Sequence, residues 1–142
     1  MPDPAREFEY LIRSDLDDAR RVQEEIEALV KTAFEDHEAF AIKMAVEEAL
    51  VNAIKHGNQM DQDKSVRVAG GLHPDRFHVR ITDEGPGFNP DDVPDPTAPE
   101  NLERPCGRGL LLIRYYMTDV AFQDNGRTIV MHKLRNGTGG GR

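Results

Sequence analysis

The chain has 142 residues, room for one domain with an apolar core that needs no covalent staples. Its 26 acidic residues outweigh 18 basic ones, and with a net charge of −8 and no basic patch, no nucleic-acid partner is expected. A single cysteine, Cys106, precludes an internal disulfide and fits a reducing, cytoplasmic setting. No apolar run approaches a membrane span, so no membrane partner is expected, and Met1–Tyr10 lacks the basic start and apolar stretch of a signal peptide.

Phe8–Ile12 reads as a first strand. Ser14 is placed as the N-cap of a helix in which Leu16, Ala19, Val22, Ile26, Leu29, Val30 and Ala33 recur at three- and four-residue steps, with Asp15, Asp17 and Asp18 near its positive end. A second helix runs from about His37 to His56, with Gly57 as a left-handed stop. Val66, Val68, Gly70 and Leu72, then Phe77, Val79 and Ile81, sit at alternate positions on either side of Pro74-Asp75, which predicts a hairpin. A short apolar helix follows over Leu110–Tyr116. Val120–Phe122 and Thr128–Met131 then flank Asp124-Asn125-Gly126 as a second hairpin.

Strands that pair mostly as antiparallel neighbours, with helices free to cover one face, predict the α+β class. The expected architecture is a two-layer α/β sandwich whose mixed, mostly antiparallel sheet is covered on one face by helices. Residues 1–135 are expected to form one domain. Within it, the segment from Asn89 to Cys106 holds five prolines among acidic residues and is expected to be irregular, while Gly-rich 136–142 is a flexible tail.

Three short segments stand in a telling order: Glu47-Glu48-Ala49-Leu50-Val51-Asn52-Ala53, then Asp83-Glu84-Gly85-Pro86-Gly87-Phe88, then Gly107-Arg108-Gly109-Leu110. Each alone is weak, since a carboxylate-plus-Asn helix or a lone Gly-x-Gly is common. In that order, with a proline-rich loop between the last two, they resemble the N, G1 and G2 boxes of the Bergerat-type (GHKL) ATP-binding fold. The likeness runs from about Leu16 to Leu134.

At 100° per residue, Glu48, Asn52 and Lys55 fall within roughly 60° of one another on the second helix, opposite Val46, Leu50 and Ala53. That pattern suits a solvated stripe opposite a core stripe. It also suits a site: an Asn52 carbonyl can ligate Mg²⁺, Glu48 one turn earlier can take a proton from an attacking hydroxyl, and Lys55 can neutralise phosphate. Asp83-Glu84-Gly85-Pro86-Gly87 is at least a strand-ending turn. Read as the G1 box, Asp83 accepts a hydrogen bond from an adenine amino group, and Gly85 and Gly87 let the backbone lie close to the base.

Gly107-Arg108-Gly109 is either a hinge or a helix start whose backbone N–H groups take phosphate oxygens. Arg104 and Arg108 are forked donors within reach of such a site, or solvated loop arginines. Thr128 is a β-former whose hydroxyl can also bridge to Asp83 or adenine. The five histidines show no metal spacing.

Within the wider family, the chain is similar to bacterial anti-sigma-factor serine kinases of the partner-switching type. The shared features are a strand before the first helix, Glu48-Ala49-Leu50-Val51-Asn52-Ala53 with His56-Gly57, the Asp-x-Gly-x-Gly-Phe box, and Arg104 before the second glycine box. Pro105-Cys106-Gly107-Arg108-Gly109 departs from the Ser-Gly-Met-Gly of the best-known members. The resemblance implies a cytoplasmic homodimer that uses ATP and Mg²⁺, phosphorylates a STAS-domain antagonist, and sequesters a sigma factor or a similar target. It makes Glu48 the base, Asn52 the Mg²⁺ ligand and Asp83 the adenine reader. Gly107, Arg108, Gly109 and Leu110 become the phosphate loop, and residues 89–106 the ATP lid. Two alternatives stay open: a nucleotide-binding switch without useful phosphotransfer, and the catalytic half of a split histidine kinase.

Overall fold

A computed structural model describes residues 6–87 and 105–135, with only the backbone path for 105–110. Residues 89–104 of the expected 89–106 lid, Arg104 among them, and the 136–142 tail lie outside the described residues. So do Phe88 and the side chains of Cys106, Arg108 and Leu110.

The first strand, β1 (Arg6–Arg13), leads into α1 (Leu16–Val30) and then α2 (Asp36–Val51). A widened helical turn, Asn52–Gly57, prolongs α2 before the hairpin β2 (Ser65–Leu72) and β3 (Arg76–Thr82). The chain resumes with α3 (Pro105–Tyr116), β4 (Asp119–Gln123) and β5 (Thr128–Leu134). The five strands lie in the order β1-β2-β3-β5-β4. Every pairing is antiparallel, with no parallel component among the described residues.

The predicted alternation sets the two sides of the sheet. Phe77, Val79 and Ile81 of the central β3 are all at most 1 % exposed, and each contributes on the order of 1.5–3 kcal/mol by leaving water. They meet Val66 and Val68 from β2, Met131 from β5, and a helical layer built from Val22, Ile26, Ile42, Val46, Leu50 and Ile113. His73, His78 and His132 stack on the opposite, open side at centroid distances of 4.8 and 5.9 Å. Burial, then the neighbouring His73, His132 and Arg76, pushes His78 below the usual histidine range.

Three local expectations change. Asp15, not Ser14, caps α1, its carboxylate accepting from the Asp17 N–H at 2.7 Å, because Ser14 is fully buried and bonded elsewhere. The third helix begins at Pro105 rather than Leu110, so Gly107 and Gly109 fall inside its first turns. Proline suits that first position, having no N–H to leave unpaired and a fixed helical φ.

Gly57 is not a left-handed stop. Positive φ appears only beyond it, at Gln59 (55°) and Met60 (61°). The helix instead widens after Asn52, with the Asn58 N–H reaching back five residues to the Ala53 carbonyl at 2.8 Å. What requires glycine at 57 is space: a Cβ there would run into the Asp83 carboxylate.

Candidate functional site

The widened turn and the end of β3 meet where Gly57 lies against Asp83. Glu48 and Asn52 stand one turn apart on the helix that leads into this junction. Both are half-buried, and neither side chain makes a hydrogen bond or ion pair with any other described residue. Val46, Leu50 and Ala53, on the opposite face of the helix, are buried in the core as the periodicity requires. Lys55 is exposed, and it follows the onset of the widened turn, where the ordinary helical spacing that aligned it with Asn52 no longer holds.

Asp83 takes its position from both flanks. Its N–H donates to the Arg127 carbonyl at 3.0 Å, and its carboxylate accepts from the Gly85 N–H at 2.8 Å. Burial pushes its carboxyl above the usual aspartate range, against the pull of the Gly85 N–H and of Arg127. The room at both glycines is taken up by protein. A Cβ on Gly85 would run into the Gly57 carbonyl, and one on Gly87, whose φ is +79°, into the Asn125 carbonyl. Thr128, buried at the start of β5, pairs with its cross-strand partner Thr82 through hydroxyls 2.9 Å apart.

Asn58 escaped sequence reading, because an Asn after a helix-ending Gly looks like an ordinary turn residue. It is fully buried and joins four pieces of chain. Its Oδ1 accepts from the Glu84 N–H at 2.7 Å, next to Asp83. Its Nδ2 donates to the Ser14 hydroxyl at 2.7 Å and the Ser65 carbonyl at 2.9 Å, while Ser14 in turn donates to the Lys64 carbonyl at 3.0 Å. Asn58→Ala removes the donor to the Ser14 hydroxyl and leaves the Ser65 carbonyl and the Glu84 N–H without their side-chain partner. Urea unfolding should show a loss of about 2 kcal/mol, and an unchanged midpoint would disprove the network's role.

The backbone at Gly107–Gly109 belongs to the first turns of α3, where a helix leaves N–H groups without internal partners. Among the described residues no cluster of His, Cys, Asp and Glu forms a closed metal site, and no helix is long and apolar enough to cross a membrane. An oxygen-only donor such as Asn52 suits a hard cation that keeps most of its shell for water and phosphate.

A two-layer sandwich with a Glu–Asn pair that has no partner among the described residues at the end of one helix, a half-buried Asp at a strand end against the turn that follows it, and a glycine-containing helix start is the arrangement of Bergerat-type ATP-binding domains. The family profile described as "Histidine kinase-like ATPase domain" matches residues 12–133, and the chain belongs to that family. It is 33 % identical to a "Serine-protein kinase RsbW" of Listeria innocua, over 67 % of this chain and 65 % of that protein. A protein of the same name from Bacillus subtilis is 32 % identical, over 68 % of this chain and 64 % of that one. A third, from Oceanobacillus iheyensis, is 28 % identical, over 63 % and 61 %. The chain thus spans somewhat under two thirds of the length of these relatives.

Proposed function

We propose that this protein is a Mg·ATP-dependent serine-protein kinase of the anti-sigma type, which phosphorylates a STAS-domain antagonist and sequesters a sigma factor or similar target. The observation that carries this reading is the pair of half-buried side chains, Glu48 and Asn52, which make no hydrogen bond or ion pair with any other described residue, on the helix that leads into the Gly57–Asp83 junction. The relatives named as serine-protein kinases support the choice of acceptor. A homodimer in the cytoplasm is the family expectation.

On this reading Asp83 accepts the adenine amino N–H, and the turn from Asp83 to Gly87 forms one wall of the base site. Asn52 offers its carbonyl oxygen to Mg²⁺, which when bound neutralises charge on the phosphates. Backbone N–H groups at Gly107, Arg108, Gly109 and Leu110 bind phosphate oxygens at the positive end of α3. Lys55, Arg104 and Arg108 add cationic charge, Thr128 supports the Asp83 end of β3, and residues 89–106 form the lid.

Glu48 holds the proton ledger. Its carboxylate accepts the serine hydroxyl proton as that oxygen attacks the γ-phosphorus, and ADP departs with the bridging oxygen. Titration calorimetry with Mg·ATP, followed by transfer of labelled phosphate to a STAS-domain protein, tests the reading. Acid-stable phosphoserine on the acceptor is the expected product. Acid-labile phosphate would instead indicate a histidine kinase half, and an absence of nucleotide binding would end the proposal.

A further inference from the structure

We propose that Arg127, which belongs to none of the three boxes, is a positioning residue that clamps the Asp83–Gly87 turn and thereby sets the preference of the site for adenine. This inference rests on the nucleotide-binding reading above.

The turn from Asp83 to Gly87 leaves the sheet where the regular ladder ends, so its carbonyls need other donors. Arg127 supplies them from the far side of the β4–β5 connection. Its Nε donates to the Gly85 carbonyl at 2.8 Å, and one terminal nitrogen donates to the Pro86 carbonyl at 3.3 Å. The other terminal nitrogen donates to the Asp124 carbonyl at 3.2 Å, with the Asp124 carboxylate 3.5 Å away. The backbone of the same residue takes the Asp83 N–H at 3.0 Å. One arginine therefore holds the turn before, at and after its bend.

Only a planar fork can do this. A guanidinium presents several donors in a fixed plane and can bind two successive carbonyls at once, whereas an ammonium is a single point charge. The connection that carries the fork is itself unusual, with φ of 54° at Asp124, 55° at Asn125 and 85° at Gly126. That left-handed run brings the Asn125 carbonyl against Gly87 and delivers Arg127 to the turn. The Asp83 carboxylate accepts from the Gly85 N–H at 2.8 Å, so an arginine that holds the Gly85 carbonyl and the Asp83 backbone holds the direction of that carboxylate through the turn. A base-reading acceptor that can swing would take an N–H from several bases, while one held still favours the base whose amino group lies on its line.

Charge gives a second signature. The charged groups that act on Asp83 are Arg127, Lys64 and Asp124, and Arg127 favours the ionised carboxylate. Its removal leaves burial less opposed and moves Asp83 protonation to higher pH. The ionised carboxylate is the stronger acceptor for the adenine amino group, so nucleotide binding should then weaken at higher pH as the solution is acidified.

The Arg127 side chain is 31 % exposed and outside the apolar core, so its replacement leaves that core intact. Calorimetry with Mg·ATP and Mg·GTP, from mildly acidic to neutral pH, should compare the wild-type protein with Arg127→Gln and Arg127→Lys. Arg127→Gln should lose roughly tenfold in ATP affinity with little change for GTP, and its acid limb should move to higher pH. Arg127→Lys should restore the limb but not the preference, which separates charge from geometry. A wild-type ratio of ATP to GTP affinity and an unmoved limb in Arg127→Gln would overturn the inference while leaving the site reading intact. Failure of the wild-type protein to bind either nucleotide would overturn that reading, and the inference with it.

Discussion

Glu48→Gln should lower phosphate transfer to a STAS-domain acceptor by about 10²-fold or more, while Mg·ATP binding stays nearly unchanged. Glutamine keeps the shape and one carbonyl oxygen of the native side chain, but it cannot take up the hydroxyl proton. Glu48 makes no hydrogen bond or ion pair with any other described residue, so no described partner is left unpaired by the change. Folding stability should therefore hold. Single-turnover transfer with labelled ATP, alongside calorimetry, reads both quantities. A wild-type transfer rate in the variant would remove Glu48 from the base role and favour the reading of a switch that binds nucleotide without phosphotransfer.

Asp83→Asn should do the reverse of an ordinary site mutation, weakening ligand binding while stabilising the empty protein near neutral pH. The loss of a charged acceptor for the adenine amino group costs about 1.5–3 kcal/mol, or roughly tenfold to a hundredfold in affinity. The stability effect follows from the direction of the Asp83 shift. Burial raises its carboxyl above the unfolded value, so the folded chain holds this proton more tightly than the unfolded chain does. Ionised Asp83 is thus a burden on the fold at pH above its folded value, and acidification through that range relieves it.

Asparagine removes the burden and keeps an oxygen for the Gly85 N–H. The variant should melt higher than wild type at neutral pH, with the gap closing as pH falls to the ordinary carboxylate range. Thermal melts across pH with and without Mg·ATP would show it. A variant that melts lower at neutral pH, or that binds ATP as tightly as wild type, would contradict the assignment. Such a residue exchanges stability for recognition, the pattern expected of a functional acceptor and not of a packing one.

Much of this molecule was legible in its residue order. The spacing of Leu16, Ala19, Val22, Ile26 and Val30, and the alternation of Phe77, Val79 and Ile81, specify the covered face of each element, and those residues apart from Leu16 are buried. Amphipathic period is a local property, so it survives without knowledge of the fold. The three boxes, taken in order, likewise resemble those of a known ATP-binding family, and the family match over residues 12–133 agrees with that resemblance.

What only the tertiary structure decided lies between those segments. Gly57 looked like a helix stop, yet its lack of a side chain serves Asp83, 26 positions onward. Ser14 looked like a cap, but burial beside Asn58 gives its hydroxyl a different partner. Gly85 and Gly87 looked like clearance for a ligand, and their clearance is filled by Gly57 and Asn125. Arg127 had no signal at all, being a lone basic residue after a hairpin turn. Each of these roles depends on close approach between chain segments far apart in sequence. Local propensity carries no information about such contacts, whereas packing at atomic contact distance determines them.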